Sequence, residues 1–317
     1  MKVLGIETSC DDTGIALIED DNILENIVLK QEHKLGVIPE YAARAHHEAL
    51  FDTTYKIIQK HEVDLIAYTN GPGLIGSLFI GASFAKALAY GLSKPFIGVD
   101  HLKAHMLLPF WLMKVPMPYL CILVSGGHTM IVIVKDIDQF ELVAKTVDDA
   151  IGEVFDKVAR NIGLKYPGGP EIEKMALMGN ANQFEFPHVM QNSFNFSFSG
   201  LKTAAIRKID INASSQAKAD FCASFQKHVA FLLVEKLNKI NKQYKIKNWV
   251  IAGGVAANKE LRRAFDISAL ENESNVFYPP IHLCTDNGVM IAALGKLMFE
   301  KYAASDFDLE PFAQSTL

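Results

Sequence analysis

Long apolar runs are missing from this 317-residue chain. Its apolar stretches, such as Tyr119–Val124 and Met130–Val134, are cut by Ser125, Gly126, Gly127 and His128, and none reaches the roughly 20 residues a spanning helix needs. No membrane association is therefore expected. The amino terminus runs straight into an apolar segment, Val3–Ile6, with no basic leader, cleavage site or Arg-rich presequence. A cytoplasmic location follows as the expectation. Cysteine is sparse: Cys10, Cys121, Cys222 and Cys284 are scattered and form no Cys-x-x-Cys pair. That excludes a disulfide framework and a zinc knuckle. Positive charge is not in excess either, since the net charge is −5 at pH 7. Dedicated nucleic-acid binders are usually basic, so any RNA contact must be local or shared with a partner. Two basic stretches are available for it. They are Lys202, Arg207 and Lys208, and the run Lys236, Lys239, Lys242, Lys245 and Lys247, whose plainer reading is a solvated helix face.

What is present is an ordinary globular composition, 50% hydrophobic and 21% charged, on a chain long enough for two packed lobes. One pattern occurs twice. Strand Val3–Ile6, a polar turn over Glu7–Gly14 and strand Ile15–Ile18 match strand Tyr119–Val124, the turn Ser125-Gly126-Gly127-His128-Thr129 and strand Met130–Val134. Two hairpins with small, polar, glycine-containing tips, each opening one half of the chain, argue for a duplicated architecture. Helices are predicted over Glu40–Lys60, Ser77–Tyr90, Ala219–Asn241, Asn258–Phe265 and Gly288–Lys301. Further strands are predicted over Asp64–Thr69, Phe96–Val99, Trp249–Ala252 and Asn275–Tyr278. Strands alternating with helices give an α/β protein. We expect two lobes with a central cleft, residues 1–110 and 111–317, with the last helix able to pack back on the first.

The tips suggest a phosphate cradle. Backbone N–H groups in glycine turns can hold phosphate oxygens, and Thr8, Ser9, Ser125 and Thr129 would add hydroxyl donors. Ordinary tight hairpins are the alternative. The Gly253–Asn258 segment adds a flat, small-residue platform, and Asn258 could bond a sugar hydroxyl or cap the helix that follows. A second constellation is Asp100-His101-Leu102-Lys103-Ala104-His105. With Asp100 as N-cap and Pro109 as stop, His101 and His105 stand one turn apart on one face and could present two imidazoles to one ion. A His-Glu-x-x-His peptidase needs Glu beside the first His; position 102 is Leu, so that chemistry is disfavoured. A third ligand must come from elsewhere. Asp286, before the last helix, could cap that helix or reach the ion from the opposite lobe. Two His and a carboxylate with open positions suit Fe(II) or Zn(II).

Nine ordered blocks then match one family. They are Gly5–Asp11, Asn70–Gly73, Asp100–His105, Leu123–Thr129, Phe155–Lys157, Tyr166–Pro170, Phe196–Lys202, Ala252–Asn258 and Thr285–Asn287. In these the chain resembles the TsaD family, formerly the Gcp or O-sialoglycoprotein endopeptidase family. The resemblance implies the two-lobed fold of actin, sugar kinases and heat-shock chaperone ATPases. It also implies an acyl transfer. Threonylcarbamoyl-adenylate gives its threonylcarbamoyl group to the exocyclic amine of the adenosine 3′ of the anticodon, in tRNAs reading codons that begin with A, and AMP leaves. By position, His101, His105 and Asp286 resemble the family's ligands for one divalent metal, Fe(II) first and Zn(II) second. Leu123, Val124, Ser125, Gly126, Gly127, Asp156, Gly169 and Asn258 resemble its adenylate-binding positions. The implied partners are a TsaB-like paralogue and a TsaE-like ATPase, and Ile38–Glu40 with Ala43–His46 resembles a docking surface. Glu7 and Asp11 are candidate catalytic groups that could equally well only orient the first turn.

Two departures stand out. Asp12 replaces the Glu of many members, and the tail Asp306–Leu317 is short and lacks an Arg-containing stretch. Two other functions compete. A small-molecule kinase on the same fold would hold Mg2+ through oxygen ligands, which the His pair opposes. A non-catalytic nucleotide-binding scaffold would not need all three ligand candidates.

Overall fold

The computed structural model describes residues 1–31, 37–188, 190 and 192–315. The first hairpin is β1 (Lys2–Glu7) and β2 (Thr13–Glu19), followed by β3 (Asn22–Leu29), α1 (Pro39–Ile58), β4 (Leu65–Gly71), α2 (Ile75–Leu92), β5 (Phe96–Asp100) and α3 (His101–Met113). The sheet order is β3-β2-β1-β4-β5. Antiparallel pairing joins β1 to β2 with Ile6 opposite Ile15, and parallel pairing joins β1 to β4 with Ile6 opposite Tyr68. β1 and β4 are buried along nearly their whole length, as strands covered on both faces must be. The sequence did not announce β3, because it is an edge strand with a largely exposed, mixed pattern.

The second hairpin is β6 (Tyr119–Val124) and β7 (Thr129–Asp136), then β8 (Gln139–Lys145), α4 (Ile151–Asn161), α5 (Gly168–Ala176), α6 (Ser199–Lys208), α7 (Ser215–Tyr244), β9 (Asn248–Ala252), α8 (Lys259–Glu271) and β10 (Asn275–Phe277). Its order, β10-β9-β6-β7-β8, repeats the first sheet: an antiparallel hairpin extended by an antiparallel edge strand on one side and by two parallel strands on the other. Phe155, Phe196, Phe198, Phe221, Phe225 and Trp249 fill the core of this half.

The last helix, α9 (Gly288–Tyr302), lies on β1 and β2. The compact units are accordingly Met1–Lys114 with Thr285–Leu317, and Val115–Cys284. Residues 285–317 thus belong to the first unit, not to the second half of a simple division at 110. The physical reason is backbone-on-backbone packing. A Cβ on Gly5 would stand 2.1 Å from the Gly288 carbonyl oxygen, and one on Gly288 would stand 2.4 Å from the Ala16 nitrogen.

Pro109 does not end α3. It lies inside the helix, which runs on to an αL cap at Lys114. An interior proline costs about 3 kcal/mol, and α3 offsets this by burying Leu102, Ala104, Met106, Leu107, Leu108 and Trp111. Beyond α9 the chain crosses the end of β4. Phe312 N–H donates to the Asn70 carbonyl at 3.0 Å, and Asn70 Nδ2 donates to the Glu310 carbonyl at 3.0 Å. Thr316 and Leu317 of this tail lie outside the described residues. Among those described, one helix, α2, is long and apolar enough to cross a membrane; one face of it, with Leu78, Gly81, Ala82, Ala85 and Ala89, is buried in the first unit.

Candidate metal centre and ligand loop

Asp100 caps α3 by accepting from Lys103 N–H at 2.9 Å, which starts the helix at His101 and stacks His105 one turn later. The two rings meet edge-to-face with centroids 4.8 Å apart. Asp286 is not the cap of α9. Asn287 takes that role, accepting from Met290 N–H at 3.0 Å, so the Asp286 carboxylate is not used as the cap. Its Oδ1 sits 3.0 Å from His105 Nε2 and 3.7 Å from His101 Nε2. Donor atoms of His101, His105 and Asp286 all lie within 4.8 Å of one another. All three belong to the first unit, so Asp286 does not arrive from an opposite lobe. Both imidazoles are buried while the Asp286 side chain is 27% exposed. The set is therefore two buried nitrogens and one part-exposed oxygen that converge, a donor set that fits a divalent ion keeping free coordination positions.

Behind His101 stands Glu7, the last residue of β1 and fully buried. It lies 3.0 Å from His101 Nδ1. Burial opposes its charge, yet the facing His101 and its hydrogen bonds hold the carboxyl below the usual range. Burial likewise opposes charge on His101, but Glu7 and Asp286 outweigh it and push the ring up to about 9. Asp11 is half-buried at the hairpin tip. Burial pushes the neighbouring Asp12 up to about 6, and Asp11 and Asp286 add repulsion.

The first tip is tied into the protein rather than presented to a ligand. Thr8 and Ser9 are buried. The Thr8 hydroxyl has no hydrogen-bond partner among the described residues and faces α2, where a Cβ on Gly81 would stand 2.0 Å from its oxygen. Ser9 accepts from Leu74 N–H at 2.7 Å through its carbonyl. His46, also buried, bridges Thr13 Oγ1 at 2.7 Å and the Cys10 carbonyl at 3.0 Å, and burial pushes its pKa down. The hydroxyls of Thr8 and Ser9 thus do not line an open cradle, because α2 approaches too closely.

The second tip is open. Ser125 closes it through 2.8 Å and 3.1 Å bonds with the His128 backbone, and a Cβ on Gly126 or Gly127 would meet nothing within 4 Å. Leu123 and Val124 are buried strand residues, so only their backbone can face a ligand. The Thr129 hydroxyl is turned inward and accepts from Ile151 N–H at 2.9 Å, at the start of α4. Asp156 accepts from Gly168 N–H at 2.7 Å, which leaves the space above Gly169 free. Asn258 is the cap of α8, accepting from Leu261 N–H at 3.0 Å, and its amide donates to Gln226 at 3.2 Å. Sequence reasoning reaches Gly168 and Gly253 through their motifs but misses Gly152. Each lets backbone approach closely: a Cβ would stand 2.5 Å from the Ser125 oxygen at Gly152 and 2.4 Å from the Val124 oxygen at Gly253, whose φ is +89°. The basic stretches are broken up. Lys236 is buried and donates to Met190 and Ser193 carbonyls, Lys239 pairs with Glu235, and Lys202 pairs with Asp149.

Comparison with known proteins supplies the family. The model for TsaD, tRNA N6-adenosine threonylcarbamoyltransferase, matches residues 22–293. The tRNA N6-adenosine threonylcarbamoyltransferase of Thermosipho africanus is 46% identical, covering 98% of both chains, and that of Borrelia garinii subsp. bavariensis is 45% identical over 98% of this chain and 95% of its own. Among solved structures, HypF of T. kodakarensis superposes with a TM-score of 0.63 at 16% identity over 95% of this chain; the chain spans about half (48%) of that longer protein. A sucrose-bound ROK family protein of Streptococcus pneumoniae gives 0.52 at 10% identity, with 95% of this chain and 99% of that one covered. These two likenesses speak for the fold, the duplicated α/β architecture shared with sugar kinases and actin-like ATPases. With the family model spanning most of the chain and relatives alike from end to end, the chain belongs to the TsaD family of tRNA N6-adenosine threonylcarbamoyltransferases.

Proposed function

We propose that this chain moves a threonylcarbamoyl group from threonylcarbamoyl-adenylate to N6 of the adenosine 3′ of the anticodon, in tRNAs reading codons that begin with A. The observation that carries the reading is the convergence of His101, His105 and Asp286 in a chain alike over its whole length to named transferases. In the reaction the N6 amine forms a bond to the carbamoyl carbon, the bond from that carbon to the adenylate phosphate oxygen breaks, AMP leaves and the amine loses a proton. No covalent enzyme intermediate is required. His101, His105 and Asp286 would hold one divalent ion, Fe(II) or alternatively Zn(II). When bound it would act as a Lewis acid on substrate oxygens. The open backbone of Ser125–Gly127 and Gly169 would receive the adenylate, with Asp156 and Asn258 fixing the loops around it. Fixed donors of this kind need no rearrangement as charge develops.

Partners are supported by α1 and α2. A Cβ on Gly76 would touch Ala43 at 3.6 Å, so the helices lie side by side. They expose Tyr41, Phe51, Tyr55 and Phe79, with Phe51 and Tyr55 stacked at 5.8 Å. An apolar surface of this kind marks a protein contact, and a TsaB-like paralogue is its occupant, with a TsaE-like ATPase joining the complex in the cytoplasm. The test is transfer of labelled threonine to tRNA by the reconstituted system. His101→Ala is expected to abolish it while leaving the fold intact, together with loss of stoichiometric metal. Full modification by that variant would sink the metal assignment. Phosphorylation of a sugar or acid without tRNA would instead favour the kinase reading.

A further inference from the structure

We infer that Glu7 is a positioning residue of the three-donor centre, holding the His101 ring in the tautomer whose Nε2 lone pair faces the ion; this rests on the metal reading above. The alternative role for a carboxylate here is general base. That role needs an oxygen within reach of a substrate proton, and Glu7 has none to spare. It is 0% exposed. One oxygen, Oε1, accepts from Ser9 N–H at 2.5 Å. The other, Oε2, takes the Thr69 hydroxyl at 2.7 Å and faces His101 Nδ1 at 3.0 Å.

This cage is built by strand register. β1 and β4 run parallel with Ile6 beside Tyr68, so the next residues along, Glu7 and Thr69, are neighbours at the carboxyl ends of their strands. β5 adds Asp100, paired with Gly71 of β4, and α3 starts at His101 immediately afterwards. A carboxylate is an acceptor only. With Glu7 at Nδ1, that nitrogen carries the hydrogen, and Nε2, on the Asp286 side, is left to bind. An outer-shell carboxylate of this kind fixes ring orientation and raises ligand basicity. A Gln in its place cannot satisfy all three donors, because one of its two terminal atoms is itself a donor.

The experiment measures metal affinity of the full chain by competition with a chelating dye, using Zn(II) and Fe(II), for wild type and Glu7→Gln. Unfolding curves are recorded in parallel. The variant is expected to bind about 10- to 100-fold more weakly. Equal affinity in a folded Glu7→Gln protein would overturn the inference, whereas absence of metal binding by wild type would overturn the underlying metal reading. Should the variant fail to fold, 15N NMR of histidine in the Zn(II)-loaded wild type decides. Metal on Nε2 with a protonated Nδ1 at His101 is the expected result, and metal on Nδ1 would refute the assignment.

Discussion

The two hairpin tips start from the same plan and end in opposite conditions. The tip at residues 7–13 is drawn inward: Thr8 is pressed against Gly81, Ser9 is held by Leu74, and His46 ties Thr13 to Cys10. The tip at residues 125–128 is closed only on itself, by Ser125 and His128, with open space around Gly126 and Gly127. A duplicated element has thus been used in two ways. One copy gave up its openness to become the back wall of the His101–His105–Asp286 centre. The other keeps open space around Gly126 and Gly127, as close approach of a ligand to the backbone needs.

Substitutions can break this contrast, and the largest effect is expected at Gly73. A Cβ there would stand 2.3 Å from the Ser9 carbonyl oxygen, a backbone atom that cannot swing aside. Gly73→Ala should cost about 3 kcal/mol, read as a lower denaturation midpoint, with weaker metal binding alongside. Next is pH. Without an ion, Glu7 and Asp286 push His101 up to about 9, against 6.5 for the ordinary ring. The stability it contributes is fully present below pH 6.5 and is lost as pH rises through 9. The unfolding midpoint of metal-free protein should fall across that window, and His101→Gln should flatten the fall. A profile unchanged by the variant would place the titration elsewhere. His46→Ala removes the bridge between Thr13 and Cys10 and should cost about 1–3 kcal/mol, because both buried partners lose a bond; thermal unfolding reads it. The smallest effect on stability, within about 0.5 kcal/mol, is expected for Gly126→Ala. That variant should still bind threonylcarbamoyl-adenylate more weakly in calorimetry. A large stability loss there would erase the distinction between the tips.

Much of this was legible in the sequence where the determinant is local. The strands of both hairpins announce themselves as apolar runs on either side of small-residue turns. The His101–His105 spacing needs only a helix, which Asp100 starts. Long-range packing hid the rest. Strands β3 and β8 are edge strands with mixed patterns. Pro109 reads as a stop only until the burial of α3 is known. The inward turn of Thr8 depends on a glycine seventy-three residues away, and the origin of Asp286 in the first unit depends on where α9 lands. Glu7 could be seen as a candidate acid, but its three partners come from β4, α3 and its own turn, a convergence no short spacing encodes.

The seating of α9 on β1 and β2 has a consequence for how the centre could change over time. Gly5, Gly14 and Gly288 bring main chain against main chain, with the Ala292 methyl group beside Gly5. The reach of Asp286 is therefore not adjustable by exchanging one apolar residue for a slightly larger or smaller one. The offset of the third donor is inherited with the fold, like a fixed dimension in a casting. If the three donors hold an ion as proposed, a variant with a different ion preference is expected to replace a donor or its outer partner, because the close backbone contacts at Gly5, Gly14 and Gly288 leave little room to shift the spacing.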